Sequence, residues 1–182
     1  VTFERMDEAG FDHMHIPGYS LAIPANNKEL ARRLNTLAPG HDRAINGFLR
    51  LVARVAGGLD FIASPKTLSS VSSGLGKAIT TARYQNATLQ QVFDGFGLPL
   101  HIQSLLASQW PDFLLPPEKL SFFAWVMLFT GYQRGAYYPT HHFESVIDAL
   151  VSLIEKYGGV VSLNTEVTDF CLSGDIVTGV MT

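Results

Sequence analysis

Cysteine is almost absent from this chain. Cys171 is the single one in 182 residues, which excludes an internal disulfide and fits a reducing compartment. Charge is also scarce, at 16% of residues against 47% hydrophobic. That balance supplies a sizeable core and leaves apolar surface over, to meet a further domain, a lipidic ligand or a membrane face. The net charge of −3 offers no electrostatic footprint for nucleic acid, so none is expected as a partner. No G-x-G-x-x-G occurs, so the chain cannot hold a dinucleotide pyrophosphate in the usual way. There is no G-x-S-x-G elbow, no internal repeat and no low-complexity tract. The longest apolar stretch, Leu120 to Phe129, is too short for a bilayer, which needs about 20 residues. No leader-like stretch opens the chain: Val1-Thr2-Phe3-Glu4-Arg5 reads as strand. With no initial Met and an end at Val180-Met181-Thr182 inside a strand pattern, a segment of a longer protein is expected.

In chain order, Phe3, Met6, Phe11, Met14 and Ile16 mark two extended runs around a turn at Asp7 to Gly10. Pro17-Gly18 is a second turn, leading into the strand-like Tyr19 to Ile23. Asn26 or Asn27 caps a helix carrying Leu30, Leu34 and Leu37, and Pro39-Gly40 stops it. Asp42 caps a longer helix with Ile45, Phe48, Leu49, Val52 and Ala56 on one face and Gly57-Gly58 as its end. Ser64 to Asn86 is weakly periodic and partly helical. Thr88 caps a short helix, Pro99 occupies the first turn of another, and Trp110-Pro111 and Leu115-Pro116-Pro117 break the pattern. Leu120 to Phe129 forms a helix apolar on every side, either buried or lining an apolar cavity.

Phe143, Val146, Ile147, Leu150, Val151, Ile154 and Tyr157 then follow helical spacing. Gly158 stands where a helix end needs a positive φ, and Gly159 lets the chain reverse. Val160 to Leu163 reads as a short buried strand. Val167 to Leu172 and Ile176 to Met181 flank Ser173-Gly174-Asp175, a hairpin turn. The fold class expected is α+β, antiparallel strands with helices followed by a helix-strand-hairpin unit.

Candidate chemistry is sparse. Ser73-Gly74-Leu75-Gly76-Lys77 lacks the first glycine of a phosphate loop and follows no strand, so a small-residue loop or helix start is the better reading. His13 and His15 share one strand face without a cysteine or acidic partner near, so no metal site is assigned. Cys171, in a strand pattern, is a small core residue. Phe122, Phe123, Trp125, Phe129, Tyr132, Tyr137 and Tyr138 are read either as the wall of a lipid pocket or as ordinary core.

The ordered set Phe3-Glu4-Arg5, Phe11-Asp12, Ile16 to Pro24, Leu37-Ala38-Pro39, Tyr138-Pro139, Gly158-Gly159 and Val167 resembles flavin-dependent oxidoreductases of the phytoene desaturase, carotenoid isomerase and retinol saturase group. The resemblance runs over most of the chain. It implies an internal segment of an FAD enzyme: 1–134 from the substrate domain and 135–182 from the FAD-binding domain. The flavin-contacting segments of the family lie on either side. It also implies a long apolar polyene substrate, a carotenoid or retinoid, and partners in the remainder of the flavoenzyme and a peripheral membrane contact. The setting is the cytoplasm or a membrane surface. The resemblance places Tyr137, Tyr138, His141, Phe123 and Trp125 toward substrate. It places the main chain of Glu166-Val167 against the adenine of FAD. No catalytic residue is assigned. Where the family has Gly-Gly after Pro-x, this chain has His141-His142, two side chains at a place of close backbone approach. A non-catalytic lipid-binding or scaffold module of the same fold is the alternative.

Overall fold

The structure, a computed structural model, describes residues 1–63, 68–109 and 112–182, without the side chains of 68–73. The expected break at Trp110-Pro111 and the start of the Ser64–Asn86 stretch lie outside the described residues. Among those described are seven helices and six strands, the strands in three pairs, an α+β content. The chain forms two compact units, Arg5–Tyr137 and Val1–Glu4 with Tyr138–Thr182.

The larger unit begins with a hairpin of β2 (Asp12–Ile16) and β3 (Tyr19–Ile23), antiparallel with Met14 opposite Leu21. Pro17 presets the first turn residue and Gly18 takes φ +81°, which a Cβ would resist. Met14, Leu21 and Ile23 face inward. Helix α1 (Asn27–Leu37) is capped by Asn26, whose Oδ1 accepts from the N–H groups of Lys28 (2.8 Å) and Glu29 (3.2 Å). Glu29 ties α1 to the hairpin indirectly. It accepts from Arg32 (2.7 Å, twice) and from Arg33 (2.8 Å), and Arg33 also donates to the carbonyls of Ala9 and Ala22.

Helix α2 (Asp42–Ala63) is the spine, burying Ile45, Phe48, Leu49, Leu51, Val52 and Val55. Asp42 is its first residue. The expected end at Gly57-Gly58 is overturned, because the helix continues to Ala63. The cause is helix α3 (Leu68–Arg83), which crosses close by. A Cβ on Gly58 would overlap Thr81 Oγ1 and lie 2.8 Å from the Lys77 carbonyl oxygen, and one on Gly74 would overlap the Phe61 ring. These glycines serve close approach, and the packing gained offsets their intrinsic helix penalty of about 1 kcal/mol each. Gly74 to Lys77 lie within α3, so no phosphate loop forms there.

Helix α4 (Leu89–Phe96) starts with a reciprocal cap, the Thr88 side chain accepting from the Gln91 N–H while Gln91 accepts from the Thr88 N–H. Pro99 stands just before α5 (Leu100–Ala107), as its N-cap rather than in its first turn. Helix α6 (Phe122–Arg134) buries Phe122, Trp125, Val126 and Phe129, one stripe at helical spacing, while Met127 is 63% exposed. The helix expected to be buried or to line an apolar cavity on every side is therefore buried along one side only. Main-chain bonds from Leu89 to Leu120 and from Phe122 to Ala87 lace the starts of α4 and α6 together.

In the smaller unit β1 (Phe3–Arg5) pairs with β4 (Tyr137–Pro139), and the Thr140 N–H donates to the Thr2 carbonyl at 3.0 Å. Helix α7 (His142–Lys156) ends in a Schellman motif. Gly158, at φ +79°, donates to Glu155 and Gly159 to Ile154, each at 2.9 Å. The hairpin of β5 (Asp169–Ser173) and β6 (Ile176–Met181) turns at Gly174-Asp175, and a bulge near Cys171 is bridged by Thr178 Oγ1 donating to the Cys171 carbonyl. The expected strand at Val160 to Leu163 is not formed; Val160 is 84% and Leu163 79% exposed. Its absence follows from the ladder, whose last pair is Asp169 opposite Met181, so residues 160–167 have no β6 neighbour to bond. For the same reason β5 begins at Asp169 and not at Val167.

Every residue of the hydrophobic core lies between Met14 and Phe129. Helix α7 buries no residue, and Phe143, Ile147, Leu150, Ile154 and Tyr157 of its apolar stripe are exposed. Among the described residues no helix is long and apolar enough to cross a membrane.

Two outcomes follow from these contacts. Hydrogen bonds from Arg32, then from Arg33, hold the Glu29 carboxyl at about 2, below its ordinary 4.5. A depressed carboxyl stabilises the fold above its unfolded value and loses that contribution as pH falls toward the folded one. Acid titrations of stability should therefore show a component between pH 4.5 and about 2 that Glu29→Gln removes. In denaturant melts, Gly58→Ala should destabilise by about 1–3 kcal/mol through overpacking. Gly76→Ala, where an added Cβ meets nothing within 4 Å, should stabilise by about 1 kcal/mol.

Candidate functional site

Several cavities of the larger unit combine apolar walls with polar groups, and one of them sets two carboxylates beside a phenol. It has a volume of about 230 Å³ and is lined by Phe11, Asp12, Asp112, Tyr132 and Ala136. Asp12 opens β2, two residues before the buried Met14 and on the same strand face, so the core anchors its position. Tyr132 comes from the last turns of α6, one residue short of a full turn beyond the buried Phe129. The Tyr132 hydroxyl donates to Asp112 Oδ2 at 3.3 Å, and the ring stands 6.0 Å from that of Phe11. Gln109, only 4% exposed, donates from Nε2 to Asp12 Oδ2 at 3.2 Å, while its buried Oε1 has no partner among the described residues. Burial pushes the Tyr132 phenol above its usual range, and the charges of Asp112 and Asp12 add to this, so the hydroxyl stays protonated.

Three grooves are larger: two run along α2, and one of about 290 Å³ lies between β3 and α1, lined by Leu21, Ala22, Arg32, Arg33, Thr36 and Leu37 with Ser20. One of about 410 Å³ is lined by Gly47, Arg50, Leu51 and Arg54, and one of about 530 Å³ includes His41, Arg43, Arg50 and Phe96. Arg50 and Arg54 border the first, and Arg43 and Arg50 the second beside glycines, Ala44 and Phe96.

The residues expected from the sequence fall in different places. Trp125 is 1% exposed in the aromatic core, stacked on Phe129 at 4.5 Å and donating from its indole to the Leu106 carbonyl at 3.1 Å. Phe123 is half-buried against the same core. Tyr137 is exposed, with the Arg5 guanidinium 6.0 Å from its ring centroid. In the smaller unit Tyr138 meets Phe143 and His142 edge to face, at 5.3 and 6.0 Å. His141 is exposed at the start of α7. Glu166 and Val167 are exposed and precede β5, and the main chain of Val167 makes no hydrogen bond among the described residues. Within the smaller unit the structure brings Tyr138 to the His141-His142 corner, and in the larger it brings Phe123 and Trp125 to one helix.

Sequence reasoning missed Gln109 and Asp112 and gave Asp12 no role. Asp12 and Gln109 are 97 positions apart, and no spacing rule links them. Among the described residues no group of three or more His, Cys, Asp or Glu is placed to hold a metal ion.

Similarity to known proteins can be set beside this geometry. The chain is 25% identical over 158 residues to all-trans-retinol 13,14-reductase of Danio rerio, covering 83% of this chain and 26% of that protein. It is 26% identical over 144 residues to the enzyme of the same name from Rattus norvegicus, covering 75% and 24%. The chain thus spans about a quarter of the length of these curated relatives. No protein-family profile matches it, and no solved structure does.

The His141-His142 corner yields a stability test. His142 holds φ +61°, the left-handed region, at the position where the sequence comparison led to the expectation of a glycine. A side chain there costs about 1–2 kcal/mol. His142→Gly should raise the unfolding midpoint by an amount of that order, read by thermal or denaturant melting, whereas the neighbouring His141→Gly, at φ −114°, should not.

Proposed function

We propose that this chain is a segment of an FAD-dependent oxidoreductase that acts on a long apolar polyene of the retinoid class. Residues 1–134 would belong to its substrate domain and 135–182 to its flavin domain. The observation that carries the reading is the similarity to two retinol reductases over 83% and 75% of the chain. The ordered residues from Phe3-Glu4-Arg5 to Val167 support the flavoenzyme class. The smaller unit supports a larger parent, since α7 and the β5–β6 hairpin carry apolar side chains with no core of their own. Burying such a stripe against further chain is favourable by about 25 cal/mol per Å². That makes the remainder of the flavoenzyme the natural partner.

The cofactor can be tested against the residues present. No glycine-rich loop joins a strand to a helix in the described residues, so the pyrophosphate would be held by other parts of the parent. Val167 fits a more modest role. Its N–H and C=O are free in an exposed stretch at the open end of the hairpin, as one edge of adenine requires. Bound there, FAD would supply the hydride chemistry. The chain's own contribution is to present that main-chain edge, and to give substrate an apolar, partly polar surface on the larger unit, to which Phe123, Tyr137 and the Asp12–Tyr132 pocket are assigned. Tyr138 and His141 are assigned to substrate from the smaller unit.

Purified full-length protein carrying this chain should retain flavin absorbance through desalting and, with a reductant, convert all-trans-retinol to a dihydroretinoid detected by chromatography. Retention of neither flavin nor activity, with retinoid still bound, would replace the enzyme by a lipid-binding module. Because Val167 acts through its backbone, Val167→Ala should leave flavin affinity unchanged. Val167→Pro, lacking the N–H, should weaken it by about 1–3 kcal/mol.

A further inference from the structure

We infer that the two adjoining grooves along α2, bordered by Arg43, Arg50 and Arg54, bind a soluble diphosphate, free or as an ester. This is a ligand site of the larger unit, separate from the flavin contact assigned to Val167, and it does not rest on the flavoenzyme reading.

The distribution of arginine partners comes first. Arg5 is tied to Glu8, Arg32 and Arg33 to Glu29, and Arg134 to Asp60. Of the other four arginines, three are Arg43, Arg50 and Arg54, whose side chains make no ion pair or hydrogen bond among the described residues. With Gly47 they stand at spacings of four, three and four, so they share one face of α2. Gly47 and Arg50 line both grooves. The Arg50 guanidinium leans over the bare glycine, with Nη2 4.0 Å from where a Cβ would stand, and the Phe96 ring edge lies 2.9 Å from the same point. No carboxylate lines either groove. The acidic neighbours in the chain are Asp42, beside Arg43, and Asp94, which accepts from Gln90 Nε2 at 2.8 Å. Gly95 is a separate sign. It lies inside α4 without a positive φ, and an added Cβ would meet nothing within 4 Å. Neither a turn nor a close crossing calls for glycine there; a ligand approaching the main chain does.

Charge and shape select the ligand. A guanidinium presents a planar fork of donors that a phosphate or carboxylate accepts two at a time. A carboxylate brings one negative charge and a single phosphate monoester about 1.5 to 2, so two linked phosphates are the smaller match for three guanidiniums. Volumes of about 410 and 530 Å³ are those of small-molecule sites. A lipid surface is a poorer match: it favours apolar side chains that protrude beside the cations, whereas Leu51 of these grooves is 9% exposed and Phe96 is half-buried. Phe96 instead offers a flat wall for the organic part of an ester.

The test is calorimetric titration of the full-length protein with pyrophosphate, ADP and orthophosphate, at low and high salt. Both diphosphates should bind at one site per chain, about tenfold tighter than orthophosphate, with affinity falling as salt rises. Arg50→Gln, the cation common to both grooves, should weaken them about tenfold, and Arg43→Gln and Arg54→Gln severalfold. All three positions are exposed, so folding is not at stake, and thermal melting checks it. Arg83→Gln, which removes the remaining arginine and lies outside both grooves, should change nothing. ADP binding tighter than pyrophosphate supports the ester, and the reverse order supports the free anion. The inference is overturned by the lack of saturable binding of either diphosphate, or by equal losses in Arg50→Gln and Arg83→Gln. Release of retained flavin as pyrophosphate binds overturns it in favour of the cofactor's own site. Arg50-dependent binding to phosphatidylglycerol vesicles, or to polyglutamate, that pyrophosphate does not compete away overturns it in favour of a lipid surface or an acidic protein.

Discussion

Phe48, in the middle of α2, packs its ring against those of Phe93, Phe96, Phe122 and Trp125, with centroids 5.3 to 6.3 Å away. Through that one side chain three helices, α2, α4 and α6, are held in mutual position. Aromatic rings tilted or edge to face in this way gain more than their buried area alone provides. They also leave few rotamers free. Trp125 extends the cluster to Phe129 and, through its indole N–H, to the end of α5. A cavity opened at Phe48 would therefore loosen α4 and α6 together.

The Asp12–Tyr132 pocket is a by-product of that rigidity. Tyr132 is carried by α6 just past Phe129, and Asp12 by β2 just before Met14, so each polar group is one short step from a fully packed residue. From there the Tyr132 hydroxyl reaches Asp112 and the Gln109 amide reaches Asp12. Gln109, which donates to Asp12, has its Oε1 buried with no partner among the described residues.

The smaller unit obeys the opposite economy. Its helix, its glycine stop and its hairpin are each well formed by local rules, and none of them buries an apolar face. Secondary structure has formed there without a core. In the proposed flavoenzyme that unit is a surface prepared for other parts of the chain, and its open main chain at Val167 belongs to the same unfinished sheet.

What the amino-acid sequence determined by itself was whatever depends on neighbours within about five residues. The Pro17-Gly18 turn, the Asn26 and Thr88 caps, the positive φ at Gly158 and the Gly174 reversal all follow from which dihedrals and side-chain bonds those residues allow. The amphipathic stripe of α7 was legible for the same reason, since helical periodicity is a local property. Tertiary structure decided the rest. Gly57-Gly58 reads as a stop until α3 is seen lying against it, because glycine serves a helix end and a close crossing equally well. Val160 to Leu163 reads as a strand until the ladder is seen to end at Asp169, because a strand exists only with a bonded neighbour. Asp12, the Gln109–Asp112 turn and Tyr132 converge from three places in the chain, and no period or spacing connects those three. Their proximity is set by the packing of the aromatic core, a property of three-dimensional contact that a linear pattern does not contain.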